Sequence, residues 1–191
     1  MATDFQKKIA EKTASIIALA NKPKIHIYDD DKKLISIPIM SAQDQPRAGL
    51  TTFATIGLSA SNNVLRGATL ASVEFIGVCF SEFEEFPNAI AAAAFSLIRS
   101  GCGYAPGIIL PGALKIHGYS RMTDLYFLPP IFWGDSFDAI SLEDRLVAWL
   151  MAVPITSSER EFAVKNGPLE LEKLLEAGKV DIANLERKSV I

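Results

Sequence analysis

The sequence of 191 residues contains only two cysteines, Cys79 and Cys102, which is too few for a disulfide framework. It also lacks an excess of positive charge, since its net charge is -3 and its isoelectric point about 5.5. This balance argues against nucleic acid or an anionic membrane as the main partner, because both require a basic protein face. The longest apolar helical stretch, residues 89–98, falls far short of the ~20 residues that a membrane span needs.

The N-terminal segment lacks the apolar core of a signal peptide, because charged residues interrupt it at Lys7, Lys8, Glu11 and Lys12. We therefore expect a cytoplasmic protein. Hydrophobic residues make up 49% of the chain, enough for a sizeable core without disulfides or metal. No long polar linker interrupts the sequence, so we expect one domain over residues 1–191.

Motifs for metals, cofactors and catalysis are missing as well. His26 and His117 each stand alone in a predicted strand, without a His-Glu-x-x-His or paired Cys-x-x-Cys pattern. Phosphate-binding glycine loops do not occur. Cys102, between two glycines, loosely resembles a nucleophile turn, but a glycine-rich exit from the preceding helix is the simpler interpretation. Cys79 lies in an apolar strand and is expected to be buried. We expect no metal, no cofactor and no catalytic residue.

Hydrophobic periodicity predicts a chain of helices and strands that do not alternate regularly. The predicted helices are residues 3–21, 89–100, 157–166 and 168–177. The predicted strands are residues 24–28, 34–40, 50–58, 69–80, 113–117, 125–128 and 146–153. Irregular alternation is typical of the α+β class. We expect a mixed or largely antiparallel sheet flanked by helices.

Local signals set several of these boundaries. Thr3 and Thr156 are each followed three residues later by Gln or Glu, the spacing of a capping box. Asn88 is a plausible N-cap for the alanine-rich helix. Pro38 favours an edge position for its strand, and Pro154 is expected to end the tryptophan-containing strand, because proline cannot donate to a strand ladder.

Two segments resemble the Suppressor of fused family in its short bacterial form. The first contains the Trp149 strand, the turn at 154–156 with Glu159 after it, a leucine-rich helix, and the Arg-x-Ser-Val tail at 187–190. The second is residues 51–59, which end in Gly-Leu-Ser, as the central strand of that family does. The resemblance covers the middle and the end of the chain.

The resemblance implies a non-catalytic protein-binding module. In animals the family holds a transcription factor in check, and its short bacterial members resemble immunity proteins, so the implied partner is a protein such as a cognate toxin. Eukaryotic relatives clamp a peptide between two lobes, which a chain with one lobe cannot do. A regulatory adaptor of a signalling or transcription protein, and an enzyme of unknown reaction, remain alternatives. The oligomeric state stays open.

Glu74 is the most unusual charge, because it lies within a hydrophobic strand where an unpaired carboxylate would be costly. One interpretation is structural, with a cation such as Arg66 or Arg99 as the partner. The other is a recognition carboxylate on a binding face, which the resemblance favours because relatives carry an acid in this strand. We favour the structural interpretation.

An acidic and aromatic segment follows that strand. It consists of Glu82, Phe83, Glu84, Glu85 and Phe86. Aromatic anchors surrounded by carboxylates suit a basic protein partner. The alternative is a loop that buries its phenylalanines in the core. Together with Glu74, these residues are the predicted protein-binding site.

Overall fold

The computed structural model describes residues 2–18, 22–61, 72–101 and 103–191. Its α-helices are α1 (Asp4–Ile17), α2 (Phe86–Ser100), α3 (Ser157–Asn166) and α4 (Pro168–Ala177). Its strands are β1 (Lys24–Asp29), β2 (Ser36–Gln43), β3 (Leu50–Thr55), β4 (Ser72–Phe80), β5 (Ile109–Leu110), β6 (Asp124–Leu128), β7 (Ile140–Leu142) and β8 (Arg145–Ile155). None of these described helices is both long and apolar enough to cross a membrane.

The strands form one mixed sheet in the order β1-β2-β3-β4-β8-β6-β5, with β7 paired to β8. The central pair β4–β8 is parallel, whereas the other pairs are antiparallel. Helices cover the sheet, so the predicted α+β class with a mixed, helix-flanked sheet is confirmed.

Each face of the sheet has its own apolar core. Strand β4 alternates between the two faces, with Val73, Phe75 and Cys79 packed on the α2 side and Ile76 on the opposite side. Residues of α1, α3 and α4 contribute to that second core. Helix α2 approaches β4 closely at Gly77, where an added Cβ would lie 2.8 Å from side-chain atoms of α2. Glycine and the small alanines of α2 therefore set the distance between helix and sheet.

Both predicted capping boxes form. The Thr3 side chain accepts a hydrogen bond from the Gln6 amide at 3.1 Å, and the Gln6 side chain accepts from the Thr3 amide at 3.0 Å. Thr156 and Glu159 make the same reciprocal pair at 3.1 Å and 2.9 Å, which fixes the start of α3 directly after β8.

The C-terminal tail returns to this cap through a buried ion pair. Arg187 binds Glu159 with two hydrogen bonds of 2.6 Å and 2.8 Å, and also donates to the Pro154 carbonyl at 3.1 Å. The exposed fractions of the two charged residues are 6% and 0%. The Val190 amide donates to Glu159 at 3.0 Å, and Ser189 hydrogen-bonds to the Thr156 hydroxyl. The motif residues at 154–159 and 187–190 thus form one hydrogen-bonded cluster.

This cluster lowers the pKa of Glu159. Burial acts to raise the pKa, but the hydrogen bonds from Arg187 and from the Thr156 amide, together with the charge of Arg187, outweigh it. The folded protein therefore favours the ionised carboxylate.

The two proline predictions are wrong. Strand β2 lies inside the sheet, between β1 and β3. The Pro38 carbonyl accepts from the Ile56 amide at 2.9 Å just beyond the end of β3, so the missing proline amide costs the sheet little. Pro154 is still part of β8, opposite Leu125. The Pro154 carbonyl accepts a hydrogen bond from Arg187 on the side of β8 that faces β4, where the pairing with β4 has already ended at Ala152.

Two other local predictions also differ from the structure. Residues 115–117 form a 3-10 turn rather than a strand, flanked by Gly112 and Gly118, whose positive φ angles of 71° and 89° reverse the chain. Helix α2 begins at Phe86, so Asn88 lies inside its first turn. In α4, Leu171 and Leu175 are buried, but Leu169 is 67% exposed.

Trp149 provides a stability test of the second core. Its side chain is 2% exposed and packs on Phe137 with ring centroids 5.3 Å apart. We expect Trp149→Ala to lower the free energy of unfolding by about 3–5 kcal/mol, because it leaves a large cavity. Denaturant unfolding measures the change, with Leu169→Ala as the exposed control. A Trp149→Ala protein as stable as that control would contradict the packing.

Arg187 provides a pH-dependent test of the buried ion pair. We expect Arg187→Ala to cost about 3–5 kcal/mol at neutral pH, because it leaves the Glu159 carboxylate buried without a cation. In the wild type the folded-state pKa of Glu159 lies below its ordinary value of 4.5. The pair therefore stabilises the protein above that pH, and its contribution is lost as the pH falls through the folded-state pKa.

In Arg187→Ala, Glu159 is buried without its cationic partner, so its pKa rises. The carboxyl group therefore becomes neutral at a higher pH than in the wild type. The deficit relative to wild type should therefore shrink between pH 7 and about pH 4. Unfolding curves at both pH values measure it. Arg121→Ala is the control, because its ion pair with Glu186 is 3.6 Å long and half exposed, and should contribute at most about 1 kcal/mol. An equal deficit for Arg187→Ala at both pH values would refute the pair's electrostatic role.

Candidate protein-binding surfaces

The acidic and aromatic segment connects β4 to α2. Glu82, Glu84 and Glu85 are exposed, Phe83 is half-buried, and Phe86 has an exposed fraction of 0%. Tight turns produce this pattern, with the Phe83 amide bonded to the Phe80 carbonyl at 2.9 Å and the Phe86 amide to the Phe83 carbonyl at 3.1 Å. The structure thus brings three carboxylates and one aromatic ring to the surface.

Phe86 points into the core rather than toward a partner. It lies beneath Gly77 and packs edge-on against Phe53, with ring centroids 6.2 Å apart. A molecule that binds the surface cannot reach it. Phe86 is therefore not part of a binding surface. The alternative prediction, a loop that buries its phenylalanines in the core, is correct for this residue.

Other aromatic residues join the exposed acids from distant parts of the chain. Phe83 packs edge-on against Tyr119 with ring centroids 6.1 Å apart. Burial, with nearby Cys79 and Glu85, raises the pKa of Tyr119 to about 12. Tyr28 also lies close enough to Glu85 for burial and that charge to raise its pKa. We call Glu82, Phe83, Glu84, Glu85, Tyr28 and Tyr119 the acidic–aromatic surface.

Glu74 lies away from this surface and is fully buried, with an exposed fraction of 0%. One carboxylate oxygen accepts from the Gly57 amide at 2.9 Å, the Ser59 amide at 3.0 Å and the Ser59 hydroxyl at 2.6 Å. The other accepts from the Thr55 hydroxyl at 2.6 Å and the Leu58 amide at 3.2 Å. Gly57 has a φ of 92°, which lets three successive amides converge on one carboxyl group.

This arrangement favours a structural role for Glu74, and a surface-bound partner cannot touch it. Of the two cations expected from the sequence, Arg99 binds Asp30 at 2.6 Å instead, and Arg66 lies outside the described residues. Burial raises the pKa of Glu74, while hydrogen bonds donated by Ser59 and Thr55 act in the opposite direction. The carboxyl group holds the Gly-Leu-Ser turn after β3 against β4.

The two histidines and Cys79 lie in three different elements of the structure. His26 is exposed on β1, and burial lowers the pKa of His117 in the 3-10 turn. Cys79 is buried as predicted, and its burial raises the pKa of the thiol to about 12. Cys102 lies outside the described residues. Within the described ranges, no cluster of three histidine, cysteine or acidic side chains could hold a metal ion.

A second surface feature, which was not predicted from the sequence, is an open cleft of about 910 Å³ between α4 and the segment after β6. Leu50, Leu128 and Val153 line it, and Ile131 and Phe132 at its rim are 61% and 39% exposed. Charged side chains, including the Arg47–Asp181 ion pair of 2.6 Å, surround it. The apolar Ile131–Phe132 pair after two prolines was the available signal, but only the tertiary structure places α4 beside it.

Comparison with known proteins identifies related sequences. Residues 33–188 match the family model described as Suppressor of fused protein (SUFU). Immunity protein YqcF of Bacillus subtilis (strain 168) is 33% identical over 195 aligned residues, which cover 100% of both chains.

Solved structures share the fold at lower identity. A Suppressor of fused homologue from Neisseria gonorrhoeae FA 1090 has a TM-score of 0.74 and 14% identity, over 100% of this chain and 98% of its own. A chain of the Sufu–Fu complex has a TM-score of 0.71 and 15% identity, over 97% and 92%. Drosophila Suppressor of Fused matches 88% of this chain with 42% of its own, at a TM-score of 0.56 and 14% identity.

Substitutions of Glu74 test its structural role. Glu74→Ala leaves the three amides at 57–59 without their acceptor, so we expect it to lower the free energy of unfolding by at least about 3 kcal/mol. Glu74→Gln keeps one acceptor oxygen but turns an amide toward the Leu58 N–H, and should cost about 1–3 kcal/mol. Thermal and denaturant unfolding measure both. Two variants as stable as the wild type would show that this hydrogen-bond network does not support the fold.

Proposed function

Because this chain belongs to the Suppressor of fused family, we propose that it is a non-catalytic binding protein that neutralises a toxin by binding it directly. The supporting observation is the similarity to an immunity protein, at 33% identity along the full length of both chains. We further propose that the chain acts as one domain in the cytoplasm, where an immunity protein would meet a toxin that enters the cell.

We assign partner binding to the acidic–aromatic surface. Three exposed carboxylates surround Phe83 and Tyr119, which pack against each other and so present a fixed aromatic edge. Aromatic side chains in fixed positions lose little conformational entropy on binding, and surrounding carboxylates attract a basic partner over a distance. A basic segment of the toxin with an apolar or aromatic anchor fits this chemistry.

The structure offers little support for the enzyme alternative. A nucleophilic thiol needs a lowered pKa, whereas burial raises that of Cys79 to about 12. Glu74 is a buried carboxyl group with a raised pKa, but its five hydrogen bonds come from its own fold. Neither group faces a cleft in which a substrate could approach it.

A regulatory adaptor is the second candidate function. The fold similarity to a chain of the Sufu–Fu complex, with a TM-score of 0.71, supports it, because that structure is a complex of two proteins. The identity of the partner separates the two candidates. Genes beside this one identify the first proteins to test, since an immunity gene accompanies the gene of its toxin.

The test measures binding to the protein encoded by the neighbouring gene. It compares the wild type with variants of the acidic–aromatic surface. We expect the triple variant Glu82→Gln, Glu84→Gln, Glu85→Gln to associate at least about tenfold more slowly at low salt, because exposed charges mainly steer encounter. The difference should shrink at high salt, where the screening length is short. Stopped-flow or surface-based kinetics measure the association rate.

A matched variant, Glu11→Gln, Glu161→Gln, Glu170→Gln, changes the net charge equally at exposed positions of three other helices. It should associate nearly as fast as wild type. If the association rates of both triple variants fall by the same factor, total charge explains the effect. The assignment of partner binding to the acidic–aromatic surface is then refuted. If no neighbouring protein binds and the chain instead turns over a small molecule, the binding function itself is refuted.

A further inference from the structure

Strand β1 forms one edge of the sheet, and among the described residues no strand pairs with its outer side. Its sequence is Lys-Ile-His-Ile-Tyr-Asp. The side chains of Ile25 and Ile27 are 52% and 69% exposed. Two exposed isoleucines on the same face of an edge strand are unusual, because such edges favour pairing with another chain.

The backbone of β1 presents hydrogen-bonding groups outward at alternate residues. The Pro38 carbonyl accepts from Ile56, so the polar backbone atoms of Pro38 point toward β3. Its neighbours in β2, Ile37 and Ile39, therefore point toward β1, where they lie opposite Tyr28 and His26. The intervening residues Ile25, Ile27 and Asp29 consequently direct their N–H and C=O groups away from the sheet.

The usual protections of an edge are missing from the middle of β1. Proteins block edges with proline, bulges or inward-pointing charges. Residues 25–28 contain none of these, and the pairing with β2 runs without a bulge from Lys24 to Asp29. The charges lie at the two ends instead, with Lys22 and Lys24 at the start and Asp29 and Asp31 at the end.

We propose that β1 pairs antiparallel with β1 of a second copy of this chain, so that two sheets join into one continuous sheet. The opposite charges at the two ends of β1 favour a second copy, because antiparallel pairing brings the start of each strand beside the end of the other. The exposed isoleucines of the two copies also face each other in this arrangement.

The outward-pointing groups restrict the register of this pairing. Ile25 faces Ile27 of the partner subunit, and Ile27 faces Ile25 of the partner subunit, so all four exposed isoleucines pack together. The two His26 residues then face each other across the two-fold axis. Asp29 of the partner subunit lies opposite Pro23, between Lys22 and Lys24. The two α2 helices lie on the same face of the joined sheet, since antiparallel edge pairing uses an axis perpendicular to it.

The dimer should be weak, because one strand pair buries less than the ~1,200–2,000 Å² of a stable interface. Sedimentation equilibrium from about 10 μM to about 1 mM covers the corresponding range of dissociation constants. We expect a reversible monomer–dimer equilibrium for the wild type. The variant Ile25→Lys, Ile27→Lys should weaken it at least about tenfold, because like charges then face each other.

The control variant is Ile116→Lys, Val164→Lys, which changes two residues that are 73% and 78% exposed and belong to the 3-10 turn and to α3 rather than to β1. It should dimerise like the wild type. A wild type that stays monomeric at about 1 mM would refute the proposal. A dimer weakened equally by both variants, or by neither, would refute the assignment to β1.

A cross-linking experiment tests the register. With Cys102 replaced by serine, His26→Cys should form a disulfide-linked dimer on mild oxidation, because opposed residues of a non-hydrogen-bonded pair have Cα atoms about 4.5 Å apart. Ile116→Cys in the same background is the control. Equal cross-linking of the two variants, or none at His26→Cys, would overturn the proposed register.

Discussion

The buried pair of Arg187 and Glu159 joins three parts of the chain that are distant in sequence. Glu159 belongs to the capping box of α3, Arg187 also binds the end of β8, and the Val190 amide completes the carboxylate's hydrogen bonds. Burying two charges is costly, and this cost is offset only when nearly every polar atom has a partner. The arrangement therefore ties the tail firmly to the central strand, and α3 and α4 lie between these two anchors.

A second buried acid, Glu74, fixes a turn beside the centre of the sheet. Glu74 lies in β4, next to β8, and its five hydrogen bonds hold the turn that follows β3. Gly77, three residues later, lets α2 approach the opposite face. In the nine residues of β4, the Glu74 side chain fixes the turn after β3, and the absence of a side chain at Gly77 lets α2 pack closely. This strand therefore determines the positions of that turn and of α2. The acidic–aromatic surface follows directly from it, which gives the exposed carboxylates a rigid support.

Features that depend on neighbours in sequence could be predicted, and features that depend on distant neighbours could not. Capping boxes at Thr3 and Thr156 and the glycine at the end of α2 act within four residues, so their signals are visible in the chain. The partners of Glu74 were not predicted, because backbone amides carry no sequence signal until a positive φ at Gly57 turns them inward. Prolines at 38 and 154 misled for a related reason, since their cost depends on whether a neighbouring strand has already ended. The carboxylates of the candidate surface were visible in the sequence, whereas Tyr28 and Tyr119 reach it only through the fold.

The position of Arg187 has a consequence for synthesis in the cell. Glu159 leaves the ribosome 28 residues before its cationic partner does. At about 5–20 residues per second, that interval lasts roughly one to six seconds. During it, the C-terminal side of the sheet lacks the interaction that compensates its buried charge, and β8 cannot reach its final stability. The region formed by β8, α3 and the tail therefore completes its fold only after Arg187 has emerged, whatever part of the sheet has formed before.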